Sequence, residues 1–166
     1  MQKQPTNADI MIIGEAPGAN EEKCGKPFVG ISGVILTGLL TEIGLKRDNA
    51  YITNVCKHRP IGKNGKDRKP TKKEVQTYLP ELQKEITTIE PKAILALGVI
   101  AAEAVLEQPF SMENDHGEFS YKDDKKIKVI ATYHPSALLR NSNLLEAVRS
   151  DMQKLRPFIH SNSKEM

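Results

Sequence analysis

Four short segments carry side chains able to do chemistry: Gly14-Glu15-Ala16-Pro17-Gly18, Pro27-Phe28-Val29-Gly30, Thr53-Asn54 and Tyr133-His134-Pro135-Ser136. A histidine directly after an apolar run, as His134 is, could stabilise negative charge on a departing group. Asn54 offers one acceptor and two donors, enough to read a pyrimidine edge. A turn-forming asparagine is the plainer alternative. Phe28 could be a core staple at a helix start or a stacking platform for a base. Glu15 sits in a tight turn whose glycines and proline let a ligand approach the backbone, and it could equally be a solvated turn residue. The turn is neither G-x-G-x-x-G nor a P-loop. Leu138 and Leu139, soon after His134, either pack under the sheet edge or enter a base stack as apolar wedges.

These segments need a frame to bring them together. Residues 9–14 are a short apolar run ending in Gly14, the pattern of a strand buried on both faces of a parallel sheet. Residues 50–55, 93–97 and 127–132 predict three more strands. Between them, Ile31, Ile35, Leu39 and Ile43 recur at helical spacing with Gly44 as a stop. Thr71-Lys72-Lys73-Glu74 reads as a capping box opening a helix to about Ile89, which Pro80 should kink or split. An Ala-rich helix runs to about Leu106, and a last one spans about Asn143 to Leu155. Residues 107–126 read as irregular or hairpin-like, and the tail after Pro157 as frayed. Strands alternating with helices predict an α/β fold with a central, mainly parallel four-stranded sheet. In such folds ligands bind beyond the C-terminal strand ends, where the Gly14–Gly18 turn, Thr53-Asn54 and the His134 segment all fall.

The bulk numbers frame the possibilities. A chain of 166 residues suits one domain, 1–166, with a core at about 9–156. With 39% hydrophobic and 27% charged residues, it has an ordinary globular composition. It has no run of about 18 apolar residues, and Met1–Ala8 lacks the apolar region of a secretory signal, so an intracellular (cytoplasmic) chain with no membrane partner is expected. The net charge of +3 says little, but between Lys57 and Lys73 lie eight Lys/Arg residues and one Asp. That loop, including Lys63, Lys66 and Arg68, could touch phosphates or be merely solvated. Cys24 and Cys56 alone cannot supply a four-cysteine metal or cluster site.

Taken in order and spacing, Gly14-Glu15-Ala16-Pro17-Gly18, Gly25-Lys26-Pro27-Phe28-Val29-Gly30, Tyr51-Ile52-Thr53-Asn54-Val55 and His134-Pro135-Ser136-Ala137-Leu138-Leu139-Arg140 resemble the family 4 uracil-DNA glycosylases. Ala96-Leu97-Gly98 and Asp151-Met152-Gln153-Lys154-Leu155 fit the same pattern. The resemblance covers about residues 9–156 and implies a three-layer α/β/α sandwich. It implies that Glu15–Gly18 line a uracil pocket, with Ala16 against the base and Pro17 and Gly18 touching the DNA backbone. Phe28 would stack on the flipped uracil, Asn54 would bond its edge, and His134 would stabilise charge on uracil O2. Pro135, Ser136, Ala137, Leu138, Leu139 and Arg140 would form the loop entering the duplex. Glu15 is the candidate to orient water or stabilise the sugar cation. The partner implied is uracil-containing DNA, single- or double-stranded, met by a monomer.

The departures shape the expectation further. The family carries an iron–sulfur cluster on four cysteines. Two precede the first strand, ahead of where this sequence starts. The third falls at His58 and the fourth near Tyr78, with Cys24 and Cys56 off the ligand positions. No cluster and no metal are therefore expected, with packing around His58 and Tyr78 in its place. Ala16 stands where more distant uracil glycosylases place a catalytic Asp. Asn20 stands at an acidic position, with Glu21 and Glu22 nearby. Three rivals remain: a weakly active or inactive uracil- or DNA-binding protein on this fold, a glycosylase for another deaminated base such as hypoxanthine, and a generic α/β nucleotide or phosphate binder or domain of a larger replication protein, which would need the motif set to be coincidence.

Overall fold

The computed structural model describes residues 4–122 and 126–159. Among them, five strands form one sheet in the order β2-β1-β3-β5-β4. They are β1 (Ile10–Gly14), β2 (Tyr51–Asn54), β3 (Ala93–Leu97), β4 (Ser120–Lys122) and β5 (Ile127–Thr132). The pairs β1–β2, β1–β3 and β3–β5 are parallel, while β4 runs antiparallel to β5. The α/β class and the largely parallel sheet are as expected. The additional strand, β4, lies in the stretch read as irregular or hairpin-like, too short and too exposed to announce itself by periodicity.

Among the described residues, seven α-helices flank the sheet: α1 (Ala19–Cys24), α2 (Ile31–Glu42), α3 (Lys72–Ile89), α4 (Val99–Leu106), α5 (Met112–Asp115), α6 (Pro135–Arg140) and α7 (Leu145–Gln153). Successive side chains of a strand point to opposite faces. On one face Met11, Ile13, Ile94 and Ala96 pack with Leu82 and Ile86 of α3 and Ala101 and Val105 of α4. On the other, Ile10, Ile12, Leu95 and Leu97 pack with Leu36 and Leu40 of α2 and Val148 and Met152 of α7. Continuous apolar runs in β1 and β3 thus serve two cores, which gives the three layers.

Two expectations change. Helix α3 continues through Pro80 without splitting. Pro80 and Gln76 both lie on its exposed face, where water can take the carbonyl that the missing N–H leaves free. The chain past Pro157 does not fray at once, because Phe158 and Ile159 pack against the α2/α7 core. The rest of the predicted tail, 160–166, lies outside the described residues. No helix among the described residues is long and apolar enough to cross a membrane.

The ends of the sheet are fixed by side chains. At the β2 edge, the Gln4 amide donates to Ile52 O (2.5 Å) and accepts from Ile52 N–H (3.3 Å). At the end of β5, buried Asp151 of α7 accepts from the Thr132 hydroxyl (2.6 Å) and lies 2.7 Å from His116 Nδ1. This pins the strand just before the Tyr133-His134 segment.

Candidate active site

A cleft of about 970 Å³ opens at the C-terminal ends of β1, β2, β3 and β5. Its walls bring together Glu15, Phe28, Asn54 and His134, which are far apart in the chain. Gly14 shows how tightly. A β-carbon there would lie 2.5 Å from Phe28 Cζ and 2.6 Å from Asn54 Oδ1, so only glycine lets both side chains meet at the strand end.

His134 caps α6. Its Nδ1 accepts the Ser136 N–H (3.1 Å) and lies 2.8 Å from the Ser136 hydroxyl. An acceptor Nδ1 carries no proton, so the neutral ring keeps its proton on Nε2, the atom free to donate to a ligand. Burial pushes the His134 pKa down to about 4, with Arg140 adding to the shift and Glu21 opposing it. The ring is therefore a neutral donor at pH 7.

Phe28 is both core and wall. It is buried, packs in the α2 core, and its ring centroid lies 5.5 Å from that of His134. Its backbone is left-handed (φ 51°), a conformation that a bulky residue adopts only when its surroundings enforce it. Three contacts do so. Gly33 makes room for the Phe28 carbonyl, since a β-carbon there would sit 1.8 Å from that oxygen. Arg47 donates to the Pro27 carbonyl. Glu21 accepts from the N–H groups of Val29 (2.9 Å) and Gly30 (2.8 Å).

Glu21 also accepts from the Gly18 N–H (2.9 Å), so one carboxylate ties the Glu15–Gly18 turn to the Phe28 loop. Burial alone would raise its pKa, but these backbone N–H bonds outweigh that and hold it below the ordinary carboxylate value. Sequence reading did not single out Glu21 for a role. The signal was its spacing of three after Gly18, a helix-start pattern. Asn54 is buried at the strand end and lines the cleft. Burial raises the Glu15 pKa, and the charge of Lys69 across the cleft opposes that shift.

The remaining residues of interest divide. Ala16, Pro17, Gly18, Ser136, Ala137, Arg140 and Arg68 line the cleft. Pro135 is buried instead. Leu138 packs partly into the α2/α7 core, whereas Leu139 is 56% exposed. Lys63 and Lys66 are exposed in a turn closed by the Gly62 N–H donating to Lys66 O (2.8 Å). The Arg68 guanidinium is committed within the protein, to both Glu74 oxygens (2.6 and 3.1 Å) and to the carbonyls of Ile61 and Lys69. Lys69 is the basic-loop cation that faces Glu15, and the run of charges hid it.

The positions where the resemblance puts cluster cysteines hold a different arrangement. His58 Nδ1 lies 2.8 Å from the Tyr78 hydroxyl, and Nε2 lies 2.9 Å from Glu74 Oε2. Both ring nitrogens are occupied and a phenol replaces a thiolate, so these residues do not fit an iron–sulfur cluster. Cys56 is a buried thiol whose pKa burial pushes up to about 11, and Cys24 is exposed. Among the described residues, no group of three or more His, Cys, Asp or Glu could hold a metal ion.

Residues 1–156 match the pattern of the Uracil DNA glycosylase superfamily. The chain is 41% identical over 157 residues to a type-4 uracil-DNA glycosylase of Sulfurisphaera tokodaii, covering 90% of this chain and 69% of that protein. It is 38% identical over 151 residues to the type-4 enzyme of Pyrobaculum aerophilum, covering 87% and 73%. It is 39% identical over 154 residues to that of Archaeoglobus fulgidus, covering 89% and 75%. A match this long, at this identity, leaves one conclusion: the chain belongs to the uracil DNA glycosylase superfamily.

Proposed function

We propose that this chain flips uracil out of DNA and hydrolyses its N-glycosidic bond, leaving an abasic site in the course of base-excision repair. The observation that carries this reading is the neutral His134. Its Nδ1 is held by Ser136, so its Nε2–H is left for the oxygen where charge develops, in a cleft shared with the Asn54 amide and the Phe28 ring.

A base inside a stacked duplex is out of reach, and extruding it costs a few kcal/mol. Stacking on Phe28, worth roughly 1–3 kcal/mol per base, offsets part of that. Asn54 pairs with the uracil edge and leaves its own groups unmatched by cytosine, which differs in donors and acceptors there. As the bond to the sugar breaks, its electron pair moves into the ring and onto O2. The His134 Nε2–H donates more strongly to that anion than to the neutral carbonyl, an effect typically worth about 3–4 kcal/mol. Water then adds to the sugar cation, and Glu15 orients that water or stabilises the cation.

On the DNA side, Arg140, Ser136 and the turn at Pro17 and Gly18 meet the backbone, and exposed Leu139 takes the space of the departed base. Lys63 and Lys66 add charge beyond the cleft. The reading is of a monomer acting inside the cell without a cluster. Unpaired cysteines suit a reducing compartment.

The test is uracil release from single- and double-stranded oligonucleotides by wild type, His134→Ala and Asn54→Ala, scored as alkali-labile sites. Wild type is expected to cleave, and each variant to lose at least about 10²-fold with an unchanged melting temperature. An inactive wild type would refute the reading. A preference for hypoxanthine over uracil would move it to the other base.

A further inference from the structure

Asn54 reads the base in the reaction above, and the structure offers a device that aims it. Asn54 is the last residue of β2, an edge strand of the sheet. The peptide joining Asn54 to Val55 has two polar ends. Its N–H donates inward to Gly14 O (2.9 Å). Its carbonyl is taken by the Lys57 ammonium at 2.7 Å. The same ammonium donates to Thr53 Oγ1 (2.7 Å) and Glu85 Oε1 (2.5 Å). Glu85 belongs to α3, and its other oxygen accepts from the Tyr51 hydroxyl at 2.8 Å.

An ammonium has three N–H donors, and here all three have acceptors. None is left for a phosphate. Lys57 is the first of the eight cations in the basic stretch, yet it is turned inward, 27% exposed against a Glu85 that is 18% exposed. Both ends of one peptide plane are thereby fixed, one by β1 and one by Lys57. That plane sets the direction in which the Asn54 side chain leaves the backbone.

Resting on the glycosylase reading, we propose that Lys57 is a positioning residue: by holding the Asn54 carbonyl against α3, it keeps the Asn54 amide aimed at the pyrimidine edge. It touches neither base nor phosphate and acts through Asn54.

The experiment is a double-mutant cycle with Lys57→Met, Asn54→Ala and the pair, assayed for uracil release under single-turnover and steady-state conditions. Misplacement of a reacting group by about 1 Å can cost 10²-fold, so Lys57→Met is expected to lower kcat about tenfold or more. KM should stay within about threefold, because no DNA contact is lost. In the Asn54→Ala background the same change should cost less than about twofold, since the residue it serves is gone. Lys57→Met leaves Glu85 without its cation, so Lys57→Met/Glu85→Gln is run beside it, with melting curves to count folded molecules. The same kcat loss is expected per folded molecule. Equal losses in both backgrounds, a raised KM at unchanged kcat, or a wild-type kcat in both Lys57 variants would overturn the inference while leaving the glycosylase reading standing. A wild type that releases no uracil would overturn both.

Discussion

Replacing Gly14 by alanine adds a single methyl group where the strand, the Phe28 ring and the Asn54 amide meet. The new carbon would lie 2.5 Å from Phe28 Cζ, 2.7 Å from Phe28 Cε2 and 2.6 Å from Asn54 Oδ1. Ordinary contact begins at 3.4 Å, so the ring must retreat by about 0.9 Å or the strand must bend. The ring has little room, because Phe28 is buried and its carbonyl already rests on Gly33. Overpacking of this kind typically costs about 1–3 kcal/mol of stability. A displacement near 1 Å of both Phe28 and Asn54 should also lower the uracil-release rate by about 10²-fold, equivalent to about 2.7 kcal/mol. The paired control is Gly38→Ala in α2, where a β-carbon meets nothing within 4 Å. That change should leave the rate alone and stabilise the helix by up to about 1 kcal/mol. Single-turnover release and thermal melting on both variants decide the matter. A Gly14→Ala protein with wild-type rate and melting temperature would refute the convergence of Phe28 and Asn54 on this strand end.

Further outcomes follow from the same geometry. Leu139→Ala should lower activity on duplex more than on single strands at unchanged stability, whereas half-buried Leu138→Ala should cost about 1–2 kcal/mol in a denaturant melt. Gly33→Ala should destabilise by more than about 2 kcal/mol, because the obstacle is the Phe28 backbone itself; a melting curve measures it. The His134 pKa is depressed from 6.5 to about 4, so the unfolded chain takes up the proton first as pH falls. The stability this residue contributes as a neutral group is full above pH 6.5 and lost as pH drops toward 4. Urea melts at several pH values should show wild type losing on the order of 2 kcal/mol more than His134→Gln over that window.

Much of the frame was legible because β1 and β3 are continuous apolar runs, and that pattern betrays strands buried on both faces. Leu36, Leu40, Leu82 and Ile86 likewise announce their helices by spacing. The segments at the strand ends stood out by residue type. What stayed hidden depends on contacts between distant parts of the chain. Glu21 looks like one acid among several until its carboxylate is seen to gather three backbone N–H groups from two loops. Arg68 and Lys69 are adjacent cations, yet one is spent on Glu74 and the other faces Glu15. Composition cannot separate them. Leu138 and Leu139 differ only in the side of a six-residue helix on which each falls. β4 is three residues long, exists by pairing with β5, and has no apolar face of its own to reveal it.

The outer margin of β2 has a bearing on how copies of this protein meet one another. A bare outermost strand is a template on which a foreign strand can grow the sheet. Here the outward amide and carbonyl of Ile52 are occupied by Gln4, and the outward carbonyl of Asn54 by Lys57. A side chain supplies one or two bonds and then stops, so it seals the margin without extending it, and an intruding strand would first have to evict both residues.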